Sequence, residues 1–92
     1  MSTKTKKSEE TAVLERTEKE RNLVLFNDDV HTFDYVIDAL IEICSHDSVQ
    51  AEQCTYIVHY KGKCAVKNGS YEELKPQCSG LLDKGLSAEI SN

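Results

Sequence analysis

The chain has 92 residues, of which 39% are hydrophobic and 29% charged, the scale of one small domain with a limited core. A net charge of −5 argues against nucleic acid as the main partner, because phosphate binding needs a basic face. No apolar run approaches the roughly 18 residues of a membrane span, and the first residues lack the apolar stretch of a secretion signal. The expectation is therefore a cytoplasmic protein with neither a nucleic-acid nor a membrane partner.

Residues 1–21 are polar, mixed in charge and free of aromatics, and read as a flexible N-terminal extension ahead of a core domain over 22–92. The charge divides in the same way. Residues 1–22 hold six Lys/Arg against five Glu, whereas residues 23–92 hold five Lys against eleven Asp/Glu. An acidic core favours cationic ligands or basic partner surfaces.

Residues 22–26 (NLVLF) form a short apolar run, read as a strand buried on both faces. Asn27-Asp28-Asp29 supplies turn chemistry, and Thr32 suits the N-cap of a helix. Phe33, Val36, Ile37, Leu40, Ile41 and Cys44 recur at helical spacing through about Ser45, with Asp34, Asp38 and Glu42 opposite. Asp47 and Gln50 have the spacing of a capping box and open a second helix that runs to about Tyr60. Its apolar positions are Ala51, Cys54, Ile57 and Val58, and Gly62 ends it.

Residues 63–66 read as a strand and Asn68-Gly69 as a turn. Ser70 and Glu73 make another capping box. Pro76 fits the first position of a helix over about 75–84, whose inner face is Cys78, Leu81 and Leu82. Residues 86–90 are a last strand. The order β-α-α-β-α-β predicts an α+β fold, a three-stranded antiparallel sheet with three helices on one side.

Cysteines stand at 44, 54, 64 and 78 with no C-x-x-C pair. They fall at apolar positions, where Cys acts as a small hydrophobe, and read as free thiols. No residue marks them as activated, and no local His/Cys pairing suggests zinc. No catalytic residue, metal or cofactor is expected. His31 and His46 fall in loops and read as solvated.

Asn27, Asp28 and Asp29 carry two readings. One is a turn and helix cap, which local hydrogen bonding explains. The other is a site for a cation or amine, since three adjacent acceptors exceed what one cap requires. An EF-hand is excluded by spacing and by the missing closing Glu. His59 shares a helical face with Thr55 and Val58, a candidate wall of a cleft.

These residues also carry a resemblance. Asn27-Asp28-Asp29 after a Val/Leu strand, with a helix opening near Phe33, resembles the NDD segment of the ClpS adaptor family. Val58-His59-Tyr60-Lys61-Gly62-Lys63 is similar to that family's V-H-Y-x-G-K segment. Ala51 and Gln53 fall where the family has a similar pair, and the likeness extends over roughly residues 22–90. The resemblance implies a non-enzymatic adaptor of the bacterial N-degron pathway. Such an adaptor binds proteins with a bulky apolar N-terminal residue and hands them to a ClpA-type AAA+ unfoldase coupled to the ClpP peptidase. Carried over residue by residue, the α-amino group falls to Asn27, Asp28, Asp29 and His59. The side-chain pocket falls to His31, Phe33, Val36, Thr55, Val58 and Leu86. Phe33 and Thr55 stand where many members carry Met, Thr32 where many have Pro, and Val30 where an aromatic is frequent. The competing expectation is a structural or ribosome-associated interaction module, in which the same segments are only turns and core.

Overall fold

In the computed structural model the described residues are 19–91. The expected flexible extension over 1–21 falls mostly on residues 1–18, outside the described residues. From Arg21 onward the chain forms β1 (Arg21–Phe26), α1 (Phe33–Cys44), α2 (Ser48–Lys61), β2 (Lys63–Gly69), α3 (Tyr71–Asp83) and β3 (Ser87–Ser91). The fold is α+β with the expected element order.

The sheet order is β2-β1-β3, with both pairings antiparallel. β1 is central, so its side chains decide which face is covered. Leu23 and Leu25 are 0% and 1% exposed, while Val24 and Phe26, which alternate with them, are only half-buried. This corrects the expectation of a strand buried on both faces. The helices cover one face, and the strand alternates with the period of two that such a sheet imposes. Leu25 pairs with Cys64 and Ala88, and Leu23 with Ile90, so these side chains share the inner face. From the helices, Ala39, Leu40, Cys44, Ala51, Val58, Leu74 and Leu81 complete the core.

Each helix starts where a side chain satisfies its first free N–H groups. Thr32 accepts from Tyr35 N at 3.1 Å, Asp47 from Gln50 N at 2.7 Å, and Ser70 from Glu73 N at 3.1 Å. The Glu73 carboxylate returns to Ser70 N at 3.0 Å, which completes a reciprocal box. This box starts α3 at Tyr71 and places Pro76 inside the helix, not at its first position. One backbone bond is lost at the proline, yet the box at one end and buried Leu74 and Leu81 on the inner face keep both halves in register. The inner face is correspondingly Leu74, Cys78 and Leu81, while Leu82 is 49% exposed. Asn68 and Gly69 continue β2, and the chain reverses only at the Ser70 cap.

His46 is buried, contrary to the expectation of a solvated loop histidine, at 3% exposure. Two local features draw it in. Ser45 takes the left-handed conformation at φ 59° and folds the chain back over the end of α1, with His46 N donating to Leu40 O at 3.3 Å. In β2 the register shifts opposite Leu23 and Val24, leaving Val66 as the extra residue of a bulge. The Val66 carbonyl then accepts the His46 Nε2–H at 2.7 Å. That bond makes Nε2 the protonated nitrogen, because a carbonyl only accepts.

All four cysteines are free thiols. Burial pushes Cys44 and Cys64 up to about 11, and burial with the nearby Glu89 charge raises Cys78. Among the described residues no group of three His, Cys, Asp or Glu is placed to hold a metal. No described helix is long and apolar enough to cross a membrane.

Two measurements check this description. His46→Ala is expected to lower unfolding stability by about 2–3 kcal/mol in urea titration, since it opens a cavity and leaves the Val66 carbonyl buried without a donor. Cys44 and Cys64 are expected to alkylate at least about a hundredfold more slowly than a free cysteine at pH 8 by mass spectrometry, because so little thiolate is present.

Candidate functional site

A cavity of about 260 Å³ opens where β1 ends. Drug-sized ligands occupy pockets of about 300–1,000 Å³, so this one suits a smaller group. All ten residues singled out from the sequence line it: Asn27, Asp28, Asp29, His31, Phe33, Val36, Thr55, Val58, His59 and Leu86. Leu25, Phe26 and Thr32 line it as well. Leu25 and Phe26 escaped sequence reading because they registered only as strand. Thr32 registered only as a helix cap.

The floor is apolar. Leu25, Thr55, Val58 and Leu86 are at most 4% exposed, and Phe33 and Val36 are half-buried above them. Thr55 is a polar residue in this setting, but its hydroxyl donates to Ala51 O at 2.8 Å within the same helix. With the hydroxyl so engaged, Thr55 costs little to bury.

The rim is polar, and backbone geometry brings its parts together. Asn27 N donates to Gly62 O at 2.9 Å. Gly62 is the left-handed C-cap of α2 at φ 94°, and its own N–H donates to Val58 O at 2.9 Å. The end of β1 is thus fastened to the last turn of α2, the turn that carries His59. Asn27, Asp29 and His59 are exposed, and their side chains have no hydrogen-bond partner among the described residues.

Asp28 is different. Its Oδ1 accepts from Val30 N and His31 N, both at 2.9 Å, and its Oδ2 lies 3.0 Å from His31 Nδ1. The carboxylate therefore organises its own loop. Burial acts to raise its pKa. The backbone N–H groups of His31 and Val30, with the His31 ring, outweigh that and hold it below the usual aspartate value.

His31, expected to be solvated, instead packs inside the loop. It stacks on Tyr35 with ring centroids 4.8 Å apart. Tyr35 donates its hydroxyl to Lys84 O at 2.7 Å. Gly85 follows at φ 85°, and a Cβ there would lie 3.3 Å from His31 Nε2. Both the backbone conformation and the close approach call for glycine. Leu86, the next residue, lines the cavity.

Comparison with known proteins bears on this geometry. The family model described as ATP-dependent Clp protease adaptor protein ClpS matches residues 16–89. The ATP-dependent Clp protease adapter protein ClpS of Pectobacterium carotovorum subsp. carotovorum is 41% identical over 56 residues, 59% of this chain and 53% of that protein. The protein of the same name from Salmonella gallinarum is 38% identical over 55 residues, 58% of this chain and 52% of that protein. The chain spans about half the length of the curated relatives it matches.

The role of Asp28 can be read from pH. A carboxylate with a depressed folded-state pKa adds stability that is present above its unfolded value of about 3.9 and lost as pH falls through the folded value. Asp28→Ala is therefore expected to destabilise the domain at pH 7. The gap to the unsubstituted protein should narrow as pH is lowered from 4 towards 2, measured by urea unfolding across that range.

Proposed function

The chain belongs to the ClpS family of ATP-dependent Clp protease adaptors, and from that premise we propose that it binds other proteins by their N-terminal residue. On this reading it is a non-enzymatic cytoplasmic adaptor. It takes chains that begin with a bulky apolar residue and delivers them to a ClpA-type AAA+ unfoldase working with ClpP. The observation that carries the reading is a small cavity beside three acceptors that have no partner among the described residues.

A free α-amino group has a pKa of about 7.7–8.0 and is largely cationic at neutral pH. It offers three N–H donors. Asn27 and Asp29 oxygens and a neutral His59 nitrogen supply three acceptors, with charge assistance from Asp29. Asp28 holds the loop and adds a second negative charge close by. An internal residue has one amide N–H, or none at proline, and no charge, so two acceptors would lose their water without replacement. The cavity below then weighs the first side chain. Burying a Leu or Phe side chain contributes about 1.5–3 kcal/mol relative to leaving it exposed, which corresponds to about ten- to a hundredfold in affinity.

Fluorescence anisotropy with peptides beginning Leu, Phe, Tyr, Trp, Ala or Gly tests this directly. Bulky first residues are expected to bind about ten- to a hundredfold more tightly than Ala or Gly, and N-acetylation should remove binding. Equal affinity across the panel, or binding that survives acetylation, would overturn the reading.

A further inference from the structure

Two thiols from different elements meet where α2 packs on the sheet. Cys54 lies in the middle of α2 and Cys64 near the start of β2, and both are half-buried against the core. Gly62 reverses the chain between them in its left-handed conformation, so β2 follows directly on the helix that it packs against. Cys64 pairs with Leu25 in the sheet and shares its inner face. The two sulfurs are hydrogen-bonding neighbours. The other two cysteines are placed differently. Cys44 at the end of α1 is 0% exposed, and Cys54 acts on it through charge alone, with no hydrogen bond. Cys78 lies on α3 near Glu89 of β3, the edge strand on the other side of β1 from β2.

Thiols so placed have a two-electron chemistry open to them, with a small-molecule disulfide as the oxidant. Cys54 gives its proton to solvent and its thiolate attacks one sulfur of the reagent. The reagent's S–S bond breaks, its other half leaves as a thiolate and is reprotonated, and Cys54 carries a mixed disulfide. Cys64 then loses its proton to solvent and attacks the Cys54 sulfur, which releases the second small thiol. Two protein thiols are oxidised, and one external disulfide is reduced to two thiols. Before the reaction, burial, the charge of Cys54 and the Cys54 thiol together push Cys64 up to about 11. A mixed disulfide on Cys54 has neither a charge nor a thiol hydrogen, so only burial still opposes ionisation of Cys64. The first step thus prepares the second.

We propose that Cys54 and Cys64 are a redox-active pair that closes reversibly to a disulfide and joins the middle of α2 to the start of β2. The segment enclosed, residues 55–63, holds Thr55, Val58 and His59 of the cavity and Gly62, which fastens α2 to Asn27. Closure ties that helical wall to the strand whose Cys64 flanks Leu25 on the cavity floor. In a reducing compartment such a bond is transient and senses oxidation. The pair needs nothing from a bound peptide, so it stands apart from the N-terminal-residue reading above.

The test is incubation of the full chain with hydroxyethyl disulfide at mildly alkaline pH, followed by acid quench and peptide mapping by mass spectrometry without reduction. The same reaction is run on the protein unfolded in concentrated urea. Cys44, Cys54 and Cys64 are evenly spaced in the chain, which supplies an internal control. In urea the Cys44–Cys54 and Cys54–Cys64 crosslinks close loops of equal length and are expected to form within about twofold of each other. In the folded protein Cys54–Cys64 is expected to exceed Cys44–Cys54 by at least about tenfold, because disulfide geometry admits few pairs. Dithiothreitol should restore both thiols. Cys64→Ser is expected to stop at the mixed disulfide on Cys54, and Cys54→Ser to form no crosslink at Cys64. The comparison of folded with unfolded protein decides the matter without any variant. A folded-protein ratio no different from that in urea would overturn the pair. So would a mixed disulfide on Cys54 that persists in the unsubstituted protein, or a Cys44–Cys54 crosslink as the main product.

Discussion

Where the cavity lies is decided by the backbone bond from Asn27 N to Gly62 O. β1 is the central strand, anchored by Leu23 and Leu25 in the core, so its end is fixed in space. Gly62 caps α2, whose last turn carries Val58 and His59. Joining these two points makes the acceptors of one segment and the imidazole of the other share a rim, although they are some thirty positions apart in the chain. The floor follows from the same junction, because Val58 and Thr55 lie on the inward face of that helix and Leu25 two residues before Asn27. Leu86 follows the segment at which Tyr35 bonds to the Lys84 carbonyl and His31 approaches Gly85. Most of these supports are backbone conformations or bonds to backbone, and the exposed side chain among them is Tyr35.

The three acceptors of the loop divide their labour, and their hydrogen bonds show how. Asp28 is engaged by two backbone N–H groups and an imidazole, which is what a turn requires. Asn27 and Asp29 on either side are left facing solvent. The turn-and-cap reading therefore accounts for Asp28, and the proposed ligand role falls to its neighbours. A loop held by its middle residue can present its neighbours with little entropy left to lose on binding.

Much of this was legible in the chain. The end of β1 at Phe26, the caps at Thr32, Asp47 and Ser70, and the element order follow from short-range chemistry that a sequence displays openly. At α3 two short-range signals conflict, Pro76 and the Ser70–Glu73 box. The box prevails because two buried leucines flank the proline, a tertiary effect with no local trace. His46 hides for a similar reason: a polar residue in a connecting segment looks solvated until the Val66 bulge supplies a buried carbonyl. The ring contacts among Phe33, Tyr56, His59 and Tyr60 were also out of reach. Helical spacing pairs Tyr56 with Tyr60, but only the packing of α1 against α2 brings Phe33 to them.

Phe33 and Thr55 connect these points. Both stand where the resemblance places Met in many members, and Met is the side chain that adapts most easily to irregular space. Here one position holds a rigid ring, fixed by edge contacts to Tyr56 and His59. The other holds a β-branched residue locked by its own hydroxyl bond. A wall built this way cannot mould itself to its occupant. It gains shape selectivity at the expense of breadth, since a close-packed boundary penalises both a gap and an overlap.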